Sequence, residues 1–285
     1  MKYLLLFLTI VFLTISCNPK KAEKKDSLKE ALLFHASFDS GTTADYAKGD
    51  PKLYNAPNRK SIADSSSTEL TYADISLIKD IGVSGGALKF NDKTSAVAYF
   101  KSKDNLNYHP ENWRGTISFW LQLNPNEDLK PGFCDPIQIT DVAYNDASIW
   151  VDFTRDSLRQ FRLGVLGDIS SWNPDSLPSA ENPAYEERLV RVKTPPFSRE
   201  SWTHVVITHD GLGSGKGKAT LYLNGQTHGS LQNLKDTFEW DVEKSNIFLG
   251  LAYIGLFDEL MIFDRPLNEN EIERLRNIEK LKSDF

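Results

Sequence analysis

From residue 31 onward the chain is built of short runs in which apolar and polar side chains alternate. In 116–123, Ile117, Phe119, Leu121 and Leu123 share one face. In Ser148–Phe153, Ile149, Val151 and Phe153 share a face, which leaves Trp150 and Asp152 on the other. In 160–166, Phe161, Leu163 and Val165 alternate with Gln160, Arg162 and Gly164. Successive side chains on a strand point to opposite sides, so each run predicts a strand with one core face and one outward face. Further aromatic or β-branched runs predict strands at 32–38, Ala87–Phe90, 96–100, 202–209, 218–224, Asn246–Leu251 and 257–263, punctuated by Gly, Asn, Asp and Pro. Asn224-Gly225 predicts a tight hairpin, because a type I′ turn needs positive φ at both central residues.

One helix is expected, over 269–282. Asn268 stands where a cap belongs, and Glu271 three residues later completes a capping box. Ile272, Leu275, Ile278 and Leu281 give it an apolar stripe for packing on the outside of the strands. Many strands with so little helix predict an all-β fold: a two-sheet antiparallel β-sandwich of jelly-roll type with a C-terminal helix. Trp120 and Trp202 are expected to fill the gap between the sheets, which is about 10 Å wide. Two long irregular stretches, 55–80 and 168–200, are either rims of a site or tolerated surface insertions.

The amino terminus changes the picture. Lys2, an uncharged apolar run over 4–15, Ser16 and Cys17 follow one another, and a charged stretch comes directly after. The run is too short for a span, which needs about 20 apolar residues, and has the form of a secretory signal. A small residue followed by Cys at its end resembles the bacterial lipobox. That resemblance implies a leader over 1–16, acylation of Cys17 and anchoring in the lipid bilayer of the cell envelope, with the outer membrane as destination. Residues 17–30 then form a charged tether, and 31–285 the domain.

The net charge of −6 argues against nucleic acid, whose binding rests on neutralising phosphates with Lys and Arg. With Cys17 acylated, Cys134 has no partner for an internal disulfide. The segments 32–50, 82–92, 115–124, 201–211, 218–229 and 254–275, taken in this order, resemble the laminin-G-like branch of the concanavalin A-like lectin and glucanase superfamily. The stretch 125–200 has no such likeness. The resemblance implies that the first and last strands meet, which brings Asp39 of FDSG toward Asp258 of FDEL as carboxylates for one structural calcium ion. Calcium takes six to eight oxygens; the same aspartates would otherwise cap turns and strand ends.

The resemblance also directs attention to glycans. Sugar rings pack on aromatic faces while their hydroxyls bond to polar side chains. Trp150, Asp152, Arg162 and Tyr222 all fall on outward faces and form a patch if their strands share a sheet, with Trp172 and Tyr185 closing over it from the long stretch. Catalytic strings are missing. No Glu-x-Asp-x-x-Glu run supplies the paired carboxylates of a retaining glycosidase. His204 and His209 lack zinc-site spacing, and no Gly-x-Ser-x-Gly elbow occurs. The expected function is therefore non-catalytic binding of a glycan or glycoconjugate. A protein-interaction role in an envelope complex, and a glycanase with an unrecognised site, are the alternatives.

Overall fold

In the computed structural model, which describes residues 27–277, the alternating runs pair into two antiparallel sheets. The leader, Cys17 and most of the tether lie outside the described residues. The first sheet runs, in order, Gln226–Leu234, Gly217–Leu223, Thr203–Leu212, Trp113–Gln122, Gly255–Phe263, Leu32–Ala36 and Tyr46–Ala47. Ala87–Phe90 joins it beside Gly255–Phe263 and carries Ile75–Ile78. The second sheet runs Leu189–Val192, Phe161–Leu166, Ser148–Phe153, Cys134–Thr140, Asn246–Leu251, Val97–Lys101 and Tyr54–Ala56.

One apolar core lies between them. Ile117, Phe119 and Leu121 of the first sheet, and Ile149, Val151, Leu163 and Ile247 of the second, belong to the same buried cluster. Each such side chain contributes roughly 1.5–3 kcal/mol by leaving water. The first and last long strands are neighbours, with His35 opposite Met261 and Ala36 opposite Leu260. Asn224 and Gly225 have φ of 51° and 78°, as the hairpin from Gly217–Leu223 to Gln226–Leu234 requires. The Asn224 side chain also accepts a bond from the His204 amide at 3.0 Å.

The C-terminal helix is shorter than expected, Glu269–Leu275, and its capping box between Asn268 and Glu271 is formed. Ile278 and Leu281 lie outside the described residues. Ile272 and Leu275 pack on the outer face of the first sheet against Trp120, Val206, Met261 and Phe263. This corrects the placement of Trp120 and Trp202 between the sheets. Phe119 and Leu121 take the inner face, so period 2 turns Trp120 outward. There it stacks on His204, with centroids 4.6 Å apart at 22°, and Trp202 packs half-buried on the same cluster. The inward tryptophan of that strand is Trp113. Burial pushes the pKa of both His204 and His209 down to about 3, which keeps the two imidazoles neutral.

Both long stretches contain regular structure. The first holds Tyr54–Ala56, the turn Arg59–Ser61, the short helix Ile62–Ser65 and Ile75–Ile78. The second holds the short helices Ile169–Trp172 and Pro183–Glu186 and the edge strand Leu189–Val192. Cys134–Thr140 was not expected as a strand. Pro136 removes a ladder donor, and the register slips between Cys134 and Ile137, so the alternation is broken where a bulge admits the proline. Cys134 itself is buried, and burial pushes its thiol up to about 11.

Candidate functional site

The outward face of the second sheet carries the polar half of the alternating runs at 148–153 and 160–166. Ser148–Phe153 and Phe161–Leu166 are hairpin neighbours in which Asp152 stands opposite Arg162 and Trp150 opposite Gly164. Arg162 grips Asp152 with two bonds, Nε to Oδ1 at 2.7 Å and Nη2 to Oδ2. Both residues are almost fully buried, at 4% and 3% exposure. The guanidinium also lies 4.8 Å from the Phe133 ring centre and 5.4 Å from that of Trp150, within range of cation–π attraction.

Trp150 is a floor rather than an exposed platform. Its relative exposure is 1%, and its indole lies flat over Gly164, where a Cβ would come within 2.2 Å of Cζ2. Its Nε1 donates to the Tyr144 carbonyl at 2.7 Å. Beside it, Gln138 donates from Nε2 to Asp135 Oδ2 at 2.9 Å and accepts from Arg59 Nη1. Arg59 comes from the 55–80 stretch, donates also to the Val142 carbonyl at 3.1 Å and lies 4.3 Å above the Phe248 ring centre. Burial raises the Asp135 carboxyl well above the usual range, and the Asp152 charge raises it further. Burial likewise raises Asp152, against the opposite pull of Arg162.

These groups line a cavity of about 870 Å³. Tyr144, Phe133, Tyr185 and Arg191 stand around it, and Phe133 and Tyr144 are exposed at 49% and 42%. The 168–188 segment makes one wall. Arg188 fixes that wall by a two-pronged pair with Asp236, both bonds 2.7 Å. Arg188 also lies 5.7 Å from the Trp172 ring centre. Trp172 donates from Nε1 to the Asn145 carbonyl at 3.1 Å and packs with Trp150 and Tyr185.

The structure thus brings Trp150, Asp152, Arg162 and Tyr185 together around one cavity. Trp172 stands behind Trp150 and Tyr185, outside the lining. Tyr222 does not join them. Its strand belongs to the first sheet, and its ring packs with the cluster under the C-terminal helix. The sequence reading missed Arg59, Phe133, Asp135, Gln138, Tyr144 and Arg191. The only local signal was the run 134–140, in which polar Asp135 and Gln138 interrupt apolar neighbours.

Asp39, in the bend after the strand Leu32–Ala36, and Asp258, within Gly255–Phe263, approach the same glycine turn. Asp39 Oδ1 accepts from the Gly86 amide at 3.2 Å, and Asp258 Oδ2 from the Val83 amide at 2.6 Å. Burial pushes the Asp258 carboxyl up to about 9, with further contributions from the Glu259 and Asp39 charges. The pair therefore braces the turn and sets the Asp39, Asp258 and Glu259 charges close enough to repel; among the described residues no group of three or more His, Cys, Asp or Glu side chains is placed to hold a metal ion.

A family model described as the concanavalin A-like lectin/glucanases superfamily matches residues 92–273. The chain belongs to this superfamily. Its sandwich is similar to domain 4 of an extracellular arabinanase from Geobacillus stearothermophilus, solved in complex with arabinotriose. The TM-score there is 0.54 at 18% identity, over 86% of this chain and 98% of that one. It is also similar to the binding domain of Paraclostridial Mosquitocidal Protein 1, with TM-score 0.52 at 17% identity over 88% of this chain and 52% of that one. The binding domain of botulinum neurotoxin serotype G gives 0.53 at 17% over 87% and 51%. Identities this low establish a shared fold. No curated protein matches the chain in sequence.

Two substitutions test how this superfamily member builds its cavity floor. Asp152→Ala strands the buried Arg162 charge and is expected to cost about 3–5 kcal/mol of unfolding free energy. Gly164→Ala drives a methyl group into the Trp150 indole and is expected to cost about 1–3 kcal/mol. Denaturant unfolding measures both, and a loss near zero in either variant would overturn the corresponding contact.

Proposed function

We propose that the chain is a non-catalytic glycan-binding protein of the cell envelope, held to the lipid bilayer through acylated Cys17, with the second-sheet cavity as its binding site. The cavity carries the reading. Aromatic rings, a fixed guanidinium–carboxylate pair and an amide side chain converge in one concave space, the combination that orients a polar ring with apolar faces. The arabinotriose bound by the arabinanase domain on the same fold supports a sugar ligand. Within the cavity the three carboxylates are paired: Asp152 with Arg162, Asp135 with Gln138 and Glu186 with Arg191. That favours binding over turnover.

Retention on an array of polysaccharides tests the site. Phe133→Ala and Arg191→Gln remove groups at 49% exposure and, for the Arg191 side chain, 31%. Both are expected to lower retention at least tenfold while leaving the melting temperature unchanged. Absence of retention on every glycan would overturn the reading.

The anchor rests on the Ser16-Cys17 junction after the apolar run. Two acyl chains give stable membrane attachment where one is marginal. In detergent phase separation of cells expressing the full chain, the protein should enter the detergent phase and Cys17→Ser should move it to the aqueous phase; the same distribution for both would remove the anchor.

We further propose that Asp39 and Asp258 supply two ligands to one calcium ion, completed by carbonyls and water, which staples the first strand region to the last. Calcium at millimolar concentration should raise the melting temperature by several degrees relative to a chelator. The shift should vanish in Asp39→Asn, and an equal shift in that variant would exclude the site.

A further inference from the structure

The chain enters the domain on the face that the cavity does not occupy. The short helix Ser27–Ala31 comes immediately before the strand Leu32–Ala36. Its Leu28 and Ala31 are 0% and 3% exposed. Both belong to the cluster that holds Trp120, Val206, Ile272 and Leu275 on the outer face of the first sheet. The Ala31 carbonyl accepts from the Asp264 amide at 2.9 Å, which ties this entry point to the end of Gly255–Phe263, just ahead of the C-terminal helix. Trp150, Asp152 and Arg162 line the cavity on the outer face of the second sheet. A helix layer about 10 Å thick and a gap of about 10 Å between the sheets lie between the two outer surfaces, so with their side chains these stand about 30 Å apart.

Leu28 stands eleven positions after Cys17. A chain of that length reaches at most about 40 Å when fully extended. To turn the cavity toward a bilayer that holds Cys17, the chain has to run from Leu28 past the edge strand Tyr46–Ala47 and then down the whole depth of the sandwich. That path takes up nearly all of its reach, and a chain drawn to its full length forfeits the conformational freedom of every residue in it. With the helix-covered face toward the bilayer, no such stretching is required. Charge acts in the same sense. Residues 18–30 hold five lysines and three acids in a chain whose net charge is −6, so the rest of the chain is more negative than the whole. The basic stretch is drawn to anionic headgroups and the acidic body is repelled by them.

We propose that the helix-covered face of the first sheet is the surface turned to an anionic lipid bilayer, and that the second-sheet cavity opens away from it. The ligand of the cavity is then a glycan reached from the aqueous side, not a lipid-borne sugar of the leaflet that holds the protein. This rests on the anchor and glycan-binding readings and adds an orientation to them.

The test uses the full acylated chain in vesicles of phosphatidylethanolamine and phosphatidylglycerol that carry a headgroup-bound acceptor dye. A donor dye is placed on Asn270→Cys, exposed on the C-terminal helix, or on Val142→Cys, 62% exposed beside the cavity-lining Ala143. Cys134 is buried and Cys17 is acylated, so each variant takes a single label. Energy transfer from position 270 should exceed that from position 142 by about twofold or more, since the two differ by about 30 Å in depth. Doubling the segment 18–26 should narrow the difference, because the longer chain reaches around the sandwich without being drawn taut. Equal transfer from both positions, or greater transfer from position 142, would overturn the orientation while leaving the anchor in place; a difference that doubling leaves unchanged would overturn the reach argument on which it stands. Absence of the protein from the vesicles, with no transfer from either position, would remove anchor and orientation together. Glycan retention is read separately on the array and is independent of these outcomes.

Discussion

A carboxylate and a guanidinium buried side by side on neighbouring strands constrain the whole outer face of the second sheet. Asp152 and Arg162 are directly opposite in the ladder, and each side chain is only 5% exposed. Leaving either charge alone in that setting costs several kcal/mol. A slip of one residue in pairing would send Asp152 toward the core and Val151 toward the cavity, since each step along a strand changes its face. The ion pair and the apolar core therefore specify the same register. That register also sets Trp150 against Gly164, the one residue type that lets the indole lie flat on the backbone.

This coupling explains why part of the site was legible in sequence. Trp150, Asp152 and Arg162 sit on two strands joined in succession, so alternation alone assigns them to one face and adjacency brings them together. Tyr222 obeys the same alternation, but periodicity does not say which sheet a strand joins. Its strand pairs with Thr203–Leu212, and the outer face there is covered by the C-terminal helix. The groups missed have another cause. Asp135 and Gln138 stand on a strand disguised by Pro136 and a bulge. Arg59 follows Asn58, whose side chain caps the turn by accepting from the amides of Lys60 and Ser61. A turn start of that kind is readable, but the place where the turn docks depends on packing with Phe248, nearly two hundred residues away in the chain.

The superfamily landmarks and the site occupy different parts of the molecule. The hairpin at Asn224-Gly225, the pairing of first and last strands and the capped helix belong to the first sheet, and they carry the resemblance. The cavity is built largely from 125–200, a stretch without landmarks legible in the sequence, although the family model spans it. The sheets fold the domain, and the connecting segments carrying Arg59, Tyr144 and Tyr185 equip one face of it with a cavity.

The two outer faces show how the same starting material reaches different ends. Each sheet turns a tryptophan outward, Trp120 on the first and Trp150 on the second. Over Trp120 lies a helix whose Ile272 and Leu275 are fully buried, so that an apolar stripe meets an apolar surface and the face closes. Over Trp150 lies a segment with prolines at 174, 178 and 183, anchored through Arg188 to Asp236 and through Trp172 to Asn145. Short proline-broken turns cannot lay a continuous apolar stripe on the sheet. They seal the indole with Trp172 and Tyr185 but stop short of Arg162, Asp135 and Gln138. The polar side chains of alternate positions are then left facing a space with fixed walls. A face closed by a helix stabilises the sandwich; a face that keeps a walled cavity over charges already paired has met the cost of ordering those side chains in folding.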